Sequence, residues 1–149
     1  MSIPAPAPQD ALALLRSDHR RCEALFADYH RLVQGGASPA DRDALIARIG
    51  GVLRAHAQVE NVLFYPALGL ADGDRAHADH ERALALLEQV AAGAGATDAL
   101  VADLATAVRD HVAFEEAELF PRAAGIDLSE LGARMAVRRA ELQGDQGPD

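Results

Sequence analysis

The stretch His56-Ala57-Gln58-Val59-Glu60-Asn61-Val62-Leu63-Phe64-Tyr65-Pro66 decides how this chain folds. It recurs 55 positions later as His111-Val112-Ala113-Phe114-Glu115-Glu116-Ala117-Glu118-Leu119-Phe120-Pro121. In each copy a histidine precedes a glutamate by four residues, and a proline follows the histidine by ten. Residues i and i+4 are neighbours on one face of an α-helix. Each copy is therefore a two-pronged metal-binding edge that one helix could offer. Two such edges, with further histidines on the remaining helices, would make a binuclear site.

Around these edges the chain reads as helix. Asp10 is the expected cap of a first helix running to about Val33 and stopped by Gly35-Gly36. Ser38-Pro39 restarts the chain with a cap and a proline at the first helical position. That second helix reaches about Pro66, with Gly50-Gly51 weakening its middle. Asp72-Gly73 predicts a turn, and a third helix follows from about Asp74 to Ala92, broken by Gly93 and Gly95. Thr97 is expected to cap a fourth helix ending near Phe120; beyond Gly125 a short fifth helix covers about Leu128 to Leu142. No segment alternates with period two for long enough to be a strand. The domain reading is an extended arm over 1–9, a bundle over 10–124, a C-terminal helix over 125–142 and a polar tail over 143–149.

The apolar spacing gives each helix a stripe. Helix one carries Leu12, Leu15, His19, Cys22, Phe26, Tyr29 and Val33; helix two carries Leu45, Ile49, Val52, His56, Val59 and Leu63, with Glu60 beside them. Helix three carries His77, His80, Leu84 and Leu87, and helix four Val101, Leu104, Val108, His111 and Glu115. These are the core stripes of an all-α, antiparallel up-and-down four-helix bundle with a short additional C-terminal helix. Five of the six histidines stand where a hydrophobe would. In that arrangement His19, His56, Glu60, His77, His80, His111 and Glu115 fall within one band about 10 Å deep. His30 lies roughly 15 Å beyond its centre and is excluded. A single core histidine needs only a hydrogen-bond partner. Five at one level with two buried carboxylates need more, because unpaired buried charge costs several kcal/mol. No lysine occurs and no arginine lies on these stripes at that height, so a metal must balance Glu60 and Glu115.

Composition narrows the function. The chain has 149 residues, about one domain's worth, and half of them are apolar. All fourteen basic residues are arginine, and the net charge of −9 argues against a nucleic-acid partner, which needs a basic face. The single cysteine, Cys22, rules out an intrachain disulfide and a thiolate zinc site. The opening MSIPAPAPQD has neither a positive n-region nor an apolar run, so no signal peptide is expected. No run of about 18 apolar residues occurs, so no membrane association is expected. The default location is the cytoplasm.

Imidazoles and carboxylates without thiolate suit iron, manganese or zinc and disfavour calcium and copper(I). Here the chain resembles the hemerythrin-like family, the HHE cation-binding domain. The likeness covers about residues 11–123 and rests on Asp18-His19, HAQVENVLFYP, DHERALALLEQV and HVAFEEAELFP. It implies a non-haem centre of two iron ions with a bridging oxo or hydroxo group. It would make ligands of His19, His56, Glu60, His80, His111 and Glu115, with both glutamates as bridges. The chain departs from the oxygen carriers of that family in two places. Ala76 stands where they have an additional histidine, and Glu115 where they have an aspartate one residue further along. His77, on the same seam, is a further candidate, as a ligand or as a wall of the pocket.

The resemblance implies a protein that binds O2 or a related small oxidant for storage, sensing or transfer. The alternative is an enzyme acting on peroxide or nitric oxide, or contributing to iron–sulfur repair. A third reading is a metal-dependent structural bundle. The partner would be a small diatomic molecule or peroxide. Elsewhere the sequence reads plainly: Cys22 as a small buried hydrophobe, Tyr65, near the level of the site, as ordinary packing or else as a hydrogen-bond donor or electron relay, Glu116 and Glu118 as a solvated face. The amphipathic fifth helix either caps the bundle or mediates a homodimer.

Overall fold

A computed structural model describes residues 10–70, 74–93 and 97–144. Among them are five helices and no strand: α1 (Ala11–Gln34), α2 (Pro39–Val59, prolonged to Ala67), α3 (Arg75–Ala91), α4 (Thr97–Phe114, prolonged to Ala123) and α5 (Leu128–Gly144). The predicted starts hold at α1 and α2. Asp10 accepts from the Ala13 N–H at 2.8 Å, and Ser38 Oγ from the Asp41 N–H at 3.2 Å. Thr97 is the first residue of α4 rather than its cap. The expected turn at Asp72-Gly73, the break at Gly95, the arm 1–9 and residues 145–149 of the tail lie outside the described residues.

Helices α1 to α4 touch in a ring, α1 to α2, α2 to α3, α3 to α4 and α4 to α1, while α5 lies across α1 and α2. α2 does not break at Gly50-Gly51. A Cβ on Gly50 would stand 3.4 Å from the Leu87 methyls and 3.1 Å from an Arg54 nitrogen. The glycine lets α3 approach. No described helix is long and apolar enough to cross a membrane.

The core is in two parts. One gathers Leu14, Leu15, Val59, Phe64, Tyr65, Phe120, Leu131 and Met135; the other gathers Cys22, Leu25, Ile49, Leu53, Leu87 and Leu104. Seven buried polar residues, Asp18, His19, His56, Glu60, His80, His111 and Glu115, complete the interior. The buried stripe of α1 keeps Leu15, His19, Cys22 and Tyr29 of the expected one but is wider. Leu14, Asp18 and Leu25 are buried, whereas Leu12, Phe26 and Val33 are only partly so. The cause is α5, which covers the Leu14 side of α1 with Leu131 and Met135 and so makes a second buried face.

A second departure bears on the site. Pro66 and Pro121 lack an N–H, and each ring crowds the carbonyl four residues back. In front of each, the helix widens. The Tyr65 N–H reaches the carbonyl of Glu60, five residues back, and the Phe120 N–H reaches that of Glu115. In a regular α-helix residue i+5 points about 140° away from residue i. The widened turn brings it back to the same face. Hence Phe64 and Tyr65 are fully buried, and Leu63, expected on the seam, is partly exposed.

Candidate metal centre

The four helices bring six of the seven candidate ligands together. Their side-chain atoms form two groups, His19, His56, Glu60 and Glu115, and Glu60, His80, His111 and Glu115, each with all its atoms within 4.8 Å of one another. Both glutamates belong to both groups. Each group draws on four residues that are all buried. His77 belongs to neither group; its ring stands edge-on to Tyr65, with centroids 5.2 Å apart. His30 is exposed on α1 and belongs to neither group.

Nε2 of His19 lies 3.0 Å from Glu115 Oε1, and Nε2 of His56 lies 3.0 Å from Glu60 Oε1. These distances would suit hydrogen bonds, yet the angles do not: both nitrogens, Glu60 Oε2 and Glu115 Oε1 have no hydrogen-bond partner although buried. Such orphaned groups are rare and call for an explanation. Their residues belong to groups whose donor atoms, one from each residue, all lie within 4.8 Å of one another, a spacing that a shared cation fits. The residues present therefore fit a metal.

The other ring nitrogen of each of these four candidate histidines is held. Nδ1 of His19 pairs with Glu116 at 3.0 Å, that of His56 with Asp18 at 3.1 Å, that of His80 with Asn61 Oδ1 at 2.9 Å and that of His111 with Asp79 at 3.0 Å. An acceptor at Nδ1 keeps the proton there and leaves Nε2 bare for a metal. Each supporting residue sits one position from a ligand on a neighbouring helix. Asp18 precedes His19 and steadies His56; Asn61 follows Glu60 and steadies His80. Asp79 precedes His80 and steadies His111; Glu116 follows Glu115 and steadies His19. The supports thus run once round the ring of helices. Asp18 also accepts from Arg139 of α5 at 2.7 Å. Burial alone would raise the Asp18 carboxyl, but His56 and Arg139 hold it below its usual value.

Two readings of the sequence are corrected here. Glu116 is not merely part of a solvated face, since it bonds His19; Glu118 is exposed as expected. Tyr65 is not ordinary packing. Its hydroxyl lies 2.6 Å from Glu115 Oε2 and 3.2 Å from each of Glu60 Oε1, His80 Nε2 and His111 Nε2. Burial and then the two glutamates push its phenol far above the ordinary range. The supports had a signal in the sequence, a second Asp-His pair at 79–80 echoing that at 18–19. Tyr65 had only its level near the site.

The glutamate charges also govern the imidazoles. Burial opposes protonation of His56, yet Glu60 and Asp18 raise its pKa well above 6.5. Burial likewise opposes His111, and the carboxylates of Glu115 and Glu60, 3.3 and 3.7 Å from its Nε2, carry it to about 10. Burial would raise Glu60, but His56 and its other partners hold it well below the usual range. Two imidazolium protons stand in for positive charge that a metal would otherwise bring.

Two spaces adjoin the centre. A cavity of about 30 Å³ touches all four ligand imidazoles, and Cys22, Leu53 and Val108 supply apolar wall. A cleft of about 160 Å³, with Arg16, Arg20, Arg109 and Glu116 on its sides, opens to the surface and ends on His19. No curated protein and no solved structure matches this sequence closely enough to be counted. A family model, the hemerythrin HHE cation-binding domain, matches residues 10–123, and with this metal-ready cluster of histidines and glutamates inside that span the chain belongs to the hemerythrin HHE cation-binding family.

Proposed function

We propose that the chain, folded as an up-and-down bundle, holds two iron ions and reversibly binds O2 or a related small oxidant. His19 and His56 would hold one ion and His80 and His111 the other, with Glu60 and Glu115 shared between them. A bound iron pair would supply the electrons that such a ligand takes up. The cavity against the four imidazoles carries this reading. A water needs roughly 10–15 Å³ of such space, so about 30 Å³ admits a molecule of two or three heavy atoms and little more. Its apolar wall suits an uncharged diatomic. With the proton held on Nδ1 by its acceptor, each imidazole would meet the metal through Nε2, and four such neutral donors to two carboxylates favour uptake over the carboxylate-rich surroundings of oxygen-activating centres.

The test is metal analysis joined to optical spectra of the ferrous protein before and after air, peroxide and nitric oxide. Two iron ions per chain, with a spectrum restored on removing oxygen, is the result expected. Irreversible oxidation by air at full iron occupancy would defeat the binding reading.

A second reading, turnover of peroxide, draws on one observation. Glu116 joins His19 to the surface cleft. Cleaving the O–O bond of peroxide to give water consumes protons, and this carboxylate could deliver them from solvent. Oxygen evolved, or a reductant consumed, over many cycles would favour it.

A further inference from the structure

The two halves of the centre are related residue by residue. Ring pairs correspond: His19 and His56 lie 5.0 Å apart at 66°, His80 and His111 4.7 Å apart at 64°. Ion pairs correspond: His19 to Glu115 is 3.0 Å, His80 to Glu60 2.9 Å. The offset that carries Glu60 to Glu115 carries Tyr65 to Phe120. Both follow a widened turn, and both rings stack on the histidine from the opposite half. Tyr65 lies on His80 at 5.4 Å and 26°, Phe120 on His19 at 6.0 Å and 12°. Behind the rings the equivalence is loose, an amide (Asn61) holding His80 where a carboxylate (Glu116) holds His19; among the groups that face the donors it fails at one atom. Tyr65 carries a hydroxyl into the His80–His111 group, and Phe120 carries nothing into the His19–His56 group.

Resting on the two-ion reading above, we infer that Tyr65 is itself a ligand, through its phenol oxygen, of the cation held by His80 and His111. Phe120 then leaves the His19–His56 cation one donor short, and that cation takes the exogenous small molecule.

The phenol oxygen already stands among all four donors of its group, at 2.6 to 3.2 Å. A hydroxyl needs one acceptor, or two or three partners at most. Four converging polar atoms are more than a packing tyrosine requires. The oxygen belongs to the donor set. Coordination replaces the O–H bond by an O–metal bond and releases the proton to solvent. The cleft agrees independently with the asymmetry. It reaches His19 and none of the other three ligand histidines. The half that lacks the phenol is the half whose histidine lines that cleft.

The chain has only two tyrosines, which makes the test clean. Tyr29 hydrogen-bonds Asp98 at 2.6 Å and belongs to the other part of the core. Full-length protein is loaded with ferrous ion without air, oxidised to the ferric state and examined by resonance Raman and visible absorption. Phenolate ring modes with a visible phenolate-to-iron absorption should appear. They should vanish in Tyr65→Phe and persist in Tyr29→Phe. Azide titrations then count open positions: one per chain in the wild type, two in Tyr65→Phe, none in Phe120→Tyr. Two irons per chain without phenolate modes, or modes that survive Tyr65→Phe, would overturn the ligand assignment and leave the two-ion reading standing. A chain that binds no iron overturns both. A wild type taking up two azides refutes the asymmetry alone.

Discussion

Arg139 of α5 donates to Asp18 of α1 at 2.7 Å, and Asp18 holds the Nδ1 of His56 on α2. A helix outside the ring thus reaches the centre through one carboxylate. Removing the group behind a metal-bound histidine costs about 10- to 100-fold in affinity. Arg139→Ala, one step further back, should weaken retention of one cation by about tenfold at most, the low end of that range. Asp18→Ala should cost more. Competition against a graded chelator measures both. Equal retention in wild type and Asp18→Ala would mean that the support does not matter.

Glu60→Ala and Glu115→Ala should each lose at least one metal, since each glutamate serves both groups. With metal removed, either variant should be destabilised by less than the roughly 2–5 kcal/mol of a large core truncation. The substitution also removes a buried charge that needs balancing. Metal analysis and urea titration read the two effects. Full metal content in both variants would remove the glutamates from the ligand set.

Stripped of metal by chelation, the protein should be pH-sensitive on the alkaline side. His56 and His111 have folded pKa values above their unfolded value of 6.5, that of His111 at about 10. Their contribution is complete below about pH 6.5 and is lost as pH rises through about 10. Glu60, held below 4.5, contributes above that value and loses its effect as pH falls through its folded pKa. Denaturant midpoints at about pH 6 and about pH 9 should show the loss, and metal loading should abolish it by displacing the protons. A higher midpoint at the alkaline pH would contradict the sign.

His77→Ala should keep its metal, as should His30→Ala. His77 stands behind Tyr65 and outside both donor groups. If it supports the tyrosine, its loss should shift the phenolate absorption while iron content holds. Loss of an iron in His77→Ala, but not in His30→Ala, would return His77 to the ligands.

Cys22 is 4% exposed, and burial pushes its thiol up to about 11. Alkylation of native protein should therefore be slow and should become fast on unfolding. Because Cys22 walls the small cavity, Cys22→Leu should fill it. Iron content should stay unchanged while binding of O2 or nitric oxide weakens or slows. Unaltered binding would place the ligand elsewhere.

The convergence of the six candidate ligands was legible because each lies on or beside an apolar stripe, and rise per residue sets their height. Tyr65 was legible only by its level near the site, and ordinary packing was the favoured reading, since the stripe was extended at 3.6 residues per turn through a segment where the turn is wider. That same extension put Leu63 on the seam in place of Phe64. The proline at the end of each copy was visible; what it does to the turn before it was not. The Leu14 and Asp18 side of α1 was missed for another reason. An amphipathic period shows that α5 has a partner, not which helix that partner is. The Asp-His pairs at 18–19 and 79–80 mark two of the supports, but which imidazole Asp18, Asn61, Asp79 and Glu116 each hold shows only in the pairing across helices.

The circular order of the Nδ1 supports has a mechanical meaning. Every helix of the ring carries one imidazole and clasps that of the next. Sliding one helix by a single residue, about 1.5 Å, would unseat the histidine it bears and release the one it grips. The centre is a keyed joint. Helices cannot creep past one another singly, and the register of the bundle and the shape of the cage are one variable, fixed or lost together.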